Sequence, residues 1–200
     1  MQLQKQATLK YIDISDGELV QEALTGDQVA FEALVHKYSV PLFNFIYHFF
    51  ADYDQACDIL QQVLLQLYIS LSTLRTTKPL KSWLFQVARN RCLDELRRKR
   101  MTHFSELETG NEEEELSGIF AIPDSSPLPE EVAEYVEMQQ RLHRAIQTLP
   151  PKFRIIVLLR YASQLSFPEI GQALNIPEAT AKTYFQRAKP MLRASLTKMG

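Results

Sequence analysis

The stretch from Phe104 to Pro129 decides how this chain can fold. It holds Gly110, Gly118, Pro123, Pro127 and Pro129 together with the acidic run Glu112 to Glu115. A segment so rich in helix breakers and like charge cannot assemble a core. On either side of it helical periodicity dominates, with no sustained apolar/polar alternation and no Asn-Gly type hairpin signal. The expected architecture is all-α: two small helical domains, residues 1–103 and 131–200, joined by a flexible acidic linker over 104–130. Ile119, Phe120 and Ile122 are the apolar exception within the linker and are suited to docking on a partner.

The punctuation of the flanking segments places the helices. Asp16 to Leu24 reads as a first helix capped by Ser15 or Asp16, and Gln28 to Tyr38 as a second, after the Gly26-Asp27 break. A strongly apolar helix is expected from Pro41 to about Phe50, and another from the acidic Asp52 to Asp54 stretch to about Leu74. In the latter, Ile59, Val63, Leu67 and Leu71 recur every four residues and lay down one core-facing stripe, with Gln61, Gln62 and Gln66 pointing elsewhere. Thr76-Thr77-Lys78-Pro79 reads as a turn before a helix from Leu80 to about Arg100. Beyond the linker the pattern gives helices over Glu131 to Thr148, Pro151 to Tyr161, Ser166 to Leu174 and Pro177 to about Leu196.

A net charge of −2 conceals a strong segregation along the chain. Residues 1–74 carry 3 basic and 9 acidic residues, and residues 75–100 carry 9 basic and 2 acidic. Residues 101–140 have no Lys or Arg against 11 acidic residues, and residues 141–200 have 10 basic and 2 acidic. Two basic blocks, +7 and +8, therefore flank a −11 connector. That is the distribution of a chain with two polyanion-facing surfaces.

Several function classes are disfavoured by what is absent. Cys57 and Cys92 lie in apolar helical patterns without CxxC or Cys/His spacing, so neither a disulfide framework nor a zinc site is expected. His36, His48, His103 and His143 are scattered without ligand spacing, and no phosphate loop, HExxH pattern or activated nucleophile is seen. No metal or cofactor is expected, and the chain reads as no enzyme. A nuclease built on Asp52, Asp54 and Asp58 is the enzymatic alternative, although acids at a helix start more often serve its dipole. The polar segment Met1 to Lys10 is no signal peptide, no apolar run is long enough to span a bilayer, and a cytoplasmic location is expected.

The chemistry concentrates in two places. Ser166-Phe167-Pro168-Glu169 satisfies the capping-box pattern, in which hydroxyl and carboxylate each take an unpaired backbone N–H. Ile170, Ala173 and Leu174 give this helix an apolar side, Asn175 can end it in the left-handed conformation, and Pro177 is tolerated only near the next helix start. The second helix carries Lys182, Thr183, Gln186, Arg187 and Lys189 on its outer face. This is the pattern of a DNA-reading helix-turn-helix, where cations meet phosphates or guanine edges and amides and hydroxyls meet base edges. A helical hairpin with a solvated polar face is the plainer alternative, and the surrounding basic block argues against it.

The second place is the helix from Lys81 to Arg100. Leu84, Val87, Ala88, Cys92 and Leu96 share one side, and Gln86, Asn90, Asp94, Arg97 and Arg98 another. An apolar back and a basic, amide-bearing front suit a helix that lies against a nucleic-acid strand. Trp83 could stack on an unpaired base, but a lone Trp flanked by Leu84 and Phe85 more often belongs to the core.

Taken together, these residues resemble the extracytoplasmic-function, or group 4, sigma factors of bacterial RNA polymerase. The resemblance runs through Asp27-x-x-Ala30-Phe31-x-x-Leu34-x-x-x-Tyr38, Ala56-Cys57-Asp58-Ile59-Leu60-Gln61-Gln62-Val63 and Trp83-Leu84-x-x-x-Ala88-Arg89-Asn90-x-x-x-Asp94-x-Leu96-Arg97-Arg98. It continues from Leu149-Pro150 to Leu165-Ser166-x-x-Glu169-Ile170-Gly171-x-x-Leu174-x-Ile176-Pro177-x-x-Thr180-x-Lys182-x-x-x-x-Arg187-Ala188. It implies that Asp58, Gln61, Gln62 and Leu65 dock on the polymerase clamp, that Trp83, Asn90, Asp94, Arg97 and Arg98 lie at the −10 element, and that Thr180, Lys182, Thr183, Gln186 and Arg187 read the −35 element. It further implies core RNA polymerase and promoter DNA as partners and an anti-sigma factor as a third, with no membrane insertion. The linker would run through polymerase channels otherwise occupied by RNA. Gln62 stands where the family usually has Glu, Ala179 and Ala181 replace Gly and Val, Tyr184 replaces Arg, and Pro190 falls where the last helix should continue and would kink it. The competing reading is a regulator that binds an operator without joining polymerase.

Overall fold

The structure, a computed structural model, describes residues 14–74, 79–105, 138 and 140–198. Helix α1 spans Asp16–Leu24, α2 Gln28–Phe50, α3 Tyr53–Ser70 and α4 Leu80–Ser105, with a 3-10 turn Leu71–Thr73 after α3. Helix α5 covers 140–147, followed by α6 Pro151–Tyr161, α7 Phe167–Leu174 and α8 Glu178–Lys198. Among the described residues there is no strand, as the periodicity requires. The linker from residue 106 onward with Ile119, Phe120 and Ile122, the turn at Thr76 to Lys78, and the start of the second domain at Glu131 lie outside the described residues.

The caps account for the helix starts. Ser15 closes a capping box on α1: its hydroxyl accepts from Glu18 N–H, and Glu18 Oε2 accepts from Ser15 N–H at 3.0 Å. Asp27 accepts from Val29 and Ala30 N–H to start α2, and Asp52 accepts from Gln55 N–H at 2.9 Å to start α3. Ala51 ends α2 in the left-handed conformation at φ 65°, which permits the sharp turn into Asp52.

One expectation is corrected here. Gln28 to Tyr38 and Pro41 to Phe50 form a single helix, and Pro41 lies inside it. Proline removes the N–H that Lys37 O would accept. The cost is outweighed because Ala30, Leu34, Tyr38, Leu42, Phe45, Ile46 and Phe49 are all buried along one continuous face, each large side chain contributing about 1.5–3 kcal/mol. A break at Pro41 would turn half of that face away from the core. Helix α4 is likewise longer than expected, running to Ser105 and past the 103/104 boundary, whereas α3 ends at Ser70 rather than Leu74. Helix α8 continues through Pro190.

The expected stripe of α3 is buried, with Val63 and Leu67 fully enclosed and Ile59 and Leu71 nearly so. Leu84, Ala88 and Cys92 of α4 face it from the other side, and enclosure of Cys92 raises its thiol pKa well above the ordinary value. Helix α6 is buried on nearly all sides: Phe153 and Ile155 through Leu159 are enclosed. The five consecutive apolar residues Ile155 to Leu159 point all round the helix and need cover on each side. Helices α7 and α8 cover part of it, and α2, from the first unit, covers more.

Candidate nucleic-acid interface

The turn between α7 and α8 is built by its own residues. Glu169 Oε2 accepts from Ser166 N–H at 2.7 Å while Ser166 Oγ accepts from Glu169 N–H at 3.4 Å, the expected capping box. Burial would raise the Glu169 carboxyl pKa, but the Ser166 hydrogen bonds and Lys81 outweigh it and hold it below the ordinary range. Asn175 ends α7 at φ 54°, ψ 46°, and Ile176 N–H returns to Gly171 O at 2.9 Å. Gly171 lies so close to the turn that a Cβ there would stand 2.9 Å from Ile176 O.

On α8, Ala181, Phe185 and Ala188 face inward, while Lys182, Thr183, Gln186 and Arg187 are exposed and Thr180 is half-buried. Lys182 pairs with Glu178 at 2.6 Å, and the Thr183 hydroxyl donates to Ala179 O at 2.8 Å. Tyr184 is half-buried and packs edge-on against Phe153, with Lys152 Nζ 5.9 Å from its ring centroid. An aromatic ring there is anchored to the unit's core, where a guanidinium would reach outward.

On α4, Asn90, Asp94 and Arg97 occupy one exposed face. Arg97 pairs with Asp94 at 3.2 Å and Arg98 with Glu95 at 2.8 Å. Such exposed pairs are worth under about 1 kcal/mol, so a phosphate can displace the carboxylate at little cost. Arg89 Nη1 donates to Asn90 Oδ1 at 3.1 Å, which leaves the amide N–H groups of Asn90 to be presented outward. Gln86 is half-buried, and Trp83 is half-buried against the core.

On α3, Asp58, Gln61, Gln62 and Leu65 are exposed opposite the buried stripe. The same face continues into Tyr68 and Ile69, which are 66% and 62% exposed beside Leu65 at 59%. The sequence reading stopped at Leu65, although continuing the 58, 61, 62, 65 register reaches both residues. The result is a ridge, polar at its start and apolar at its end, of the kind that marks a protein-binding surface.

The two helical units also meet each other. Arg154 of α6 donates to Phe49 O at 3.1 Å and Gln147 of α5 donates to His48 O at 3.0 Å, both at the end of α2. Lys81 at the start of α4 pairs with Glu169 at 3.3 Å, and Ser82 donates to Gln172 at 3.1 Å. His48 and His143, read from sequence as scattered, have Nδ1 atoms 3.4 Å apart. At 95 positions apart in sequence, no local pattern could have paired them.

Two family models match the chain: Sigma-70 region 2 over residues 34–102 and Sigma-70, region 4 over residues 139–192. The chain is 29% identical over 177 residues to the ECF RNA polymerase sigma factor SigW of Bacillus subtilis, covering 88% of this chain and 94% of the relative. It is 29% identical over 182 residues to the RNA polymerase sigma-H factor of Pseudomonas aeruginosa, covering 90% and 93%. Among solved structures, CnrH in complex with the cytosolic domain of CnrY superposes with a TM-score of 0.68 at 20% identity, covering 92% of this chain and 99% of that one. The sigma factor RpoE in complex with the anti-sigma factor NepR from Bartonella quintana gives 0.66 at 20% identity, covering 84% and 96%.

Proposed function

This chain belongs to the extracytoplasmic-function group of the sigma-70 family, and we propose that its three exposed faces divide the work of promoter recognition among them. It is a sigma factor that directs RNA polymerase to promoters. The face of α3 formed by Asp58, Gln61, Gln62 and Leu65, extended by Tyr68 and Ile69, docks on core polymerase. Lys182, Thr183, Gln186 and Arg187 of α8, with Thr180 beside them, read the −35 element in the major groove. Asn90, Asp94, Arg97 and Arg98 of α4 meet the −10 element, with Trp83 at the start of the same helix.

The observation that carries this reading is that both matched regions present an exposed face of amide, hydroxyl and cationic side chains opposite a buried apolar stripe. Polymerase supplies the catalysis and this chain the choice of site. Capturing an unstacked base lowers the cost of opening the duplex, and the outward amide of Asn90 can hydrogen-bond a base edge. Both structural neighbours are bound to a second protein, NepR being an anti-sigma factor, and a partner of that kind would hold this chain inactive. No described helix is long and apolar enough to cross a membrane.

Pull-down with core polymerase followed by run-off transcription tests the proposal. Binding to both polymerase and promoter is expected. DNA binding without polymerase binding would instead identify an operator-binding regulator.

A further inference from the structure

We propose that His48 and His143 form a pH-sensitive latch between the two helical units, holding the chain closed at neutral pH and releasing it as the pair becomes charged. The hydrogen bonds fix the protonation state that the closed form requires. The carbonyl of His48 can only accept, so the Gln147 atom 3.0 Å from it is the amide nitrogen. That nitrogen is also 3.3 Å from His143 Nε2, which must then accept the second amide hydrogen. A neutral His143 accepting at Nε2 carries its proton on Nδ1, and donates it to His48 Nδ1 at 3.4 Å. His48 therefore accepts at Nδ1 and is neutral as well. One chain of donors, Gln147 to His143 to His48, needs both rings uncharged. Protonating His143 sets two donors against each other at Gln147, and protonating His48 does the same between the rings.

The charges around the pair act in the same direction. Arg154 of α6 lies beside it, donating to Phe49 O of α2 and to Gln147 O. Its guanidinium donates to one carbonyl at the end of α2 and to two at the end of α5, where the helix dipoles favour a cation, while its Nε is buried without a partner. From α2, Tyr47 has its ring centroid 6.1 Å from that of His143; from α6, Tyr161 lines the same cavity. The cavity holds about 390 Å³ and is lined by both histidines, Leu142, Ile146, Leu158 and Leu192, with no carboxylate among its described lining residues to balance a new charge. Burial, then His48 and Arg154, pull the His143 imidazole from 6.5 down to about 4, and burial lowers His48. Groups held below their ordinary value support the closed form fully above about 6.5 and lose that support as pH falls toward about 4.

Opening has a consequence for promoter binding. A compact chain of this length has a radius of gyration of about 16–17 Å, whereas elements about 25 base pairs apart are separated by roughly 85 Å of helix axis. The closed form cannot engage both, so release of the latch enlarges the fraction of free chain able to do so.

Small-angle scattering of the full chain between pH 7.5 and 5.0, with helicity followed by circular dichroism, tests the latch. The radius of gyration is expected to rise by about a third while helicity is retained, and His143→Gln, which cannot titrate, should abolish the rise. A radius unchanged over this range, an equal rise in His143→Gln, or a rise accompanied by loss of helix would each overturn the proposal. Should that variant not fold, the wild-type imidazole signals decide: the His143 resonance must titrate well below the ordinary histidine value of about 6.5, and a midpoint at that value would refute the latch.

Discussion

A Cβ at residue 171 would press on Ile176 O at 2.9 Å, against backbone that cannot swing aside. Gly171→Ala should therefore cost about 1–3 kcal/mol and lower Tm by roughly 3–10 °C, measured by thermal unfolding. Arg187 is the opposite case: exposed on α8, it can be removed without disturbing the fold. Arg187→Ala should leave Tm within a degree or so while weakening binding to a −35 duplex, and a lost phosphate contact would reduce the salt slope by about one. Titration of labelled duplex at several salt concentrations checks both. Tyr184 shows what the residue pattern could not tell. Sequence placed it on the DNA-binding helix in an arginine's position, but only the packing against Phe153 shows that its ring turns to the core.

At the scale of elements, α3 and α4 each separate a buried stripe from an exposed polar face, so substitutions on the exposed face can be made without opening the core. Leu65→Asp should keep the helical signal, because the side chain is 59% exposed, yet reduce core-polymerase affinity by about tenfold or more in a binding assay with labelled core enzyme. The double change Arg97→Ala, Arg98→Ala should leave closed-complex binding through α8 largely intact and reduce open-complex formation, read by permanganate reactivity of unpaired thymines. Unchanged opening would remove α4 from the −10 assignment. These helices were legible because a four-residue apolar repeat survives unbroken in each. Helix α2 was misread as two because Pro41 is a strong local signal, and the burial of residues 38, 42, 45, 46 and 49 that overrides it exists only after the tertiary core has formed.

At the scale of the whole molecule, the sequence shows two basic blocks and an acidic connector, from which two polyanion-facing surfaces are expected. It revealed nothing of how the units meet. Carbonyls at the end of α2 that accept from Gln147 and Arg154, and the pairing of Lys81 with Glu169, join residues about 90 to 105 positions apart, beyond any periodicity. The unbroken apolar run Ile155 to Leu159 of α6 was the one available hint, since it needs cover on more sides than its own small unit supplies. The central claim is that one chain selects the promoter for a polymerase that cannot do so alone. Mapping RNA 5′ ends made by core polymerase from genomic DNA, with and without this protein, tests it most directly. Added protein should produce a discrete set of new start sites that share sequence near −35 and −10 and disappear with Arg187→Ala. A pattern of 5′ ends identical to that of core polymerase alone would contradict it.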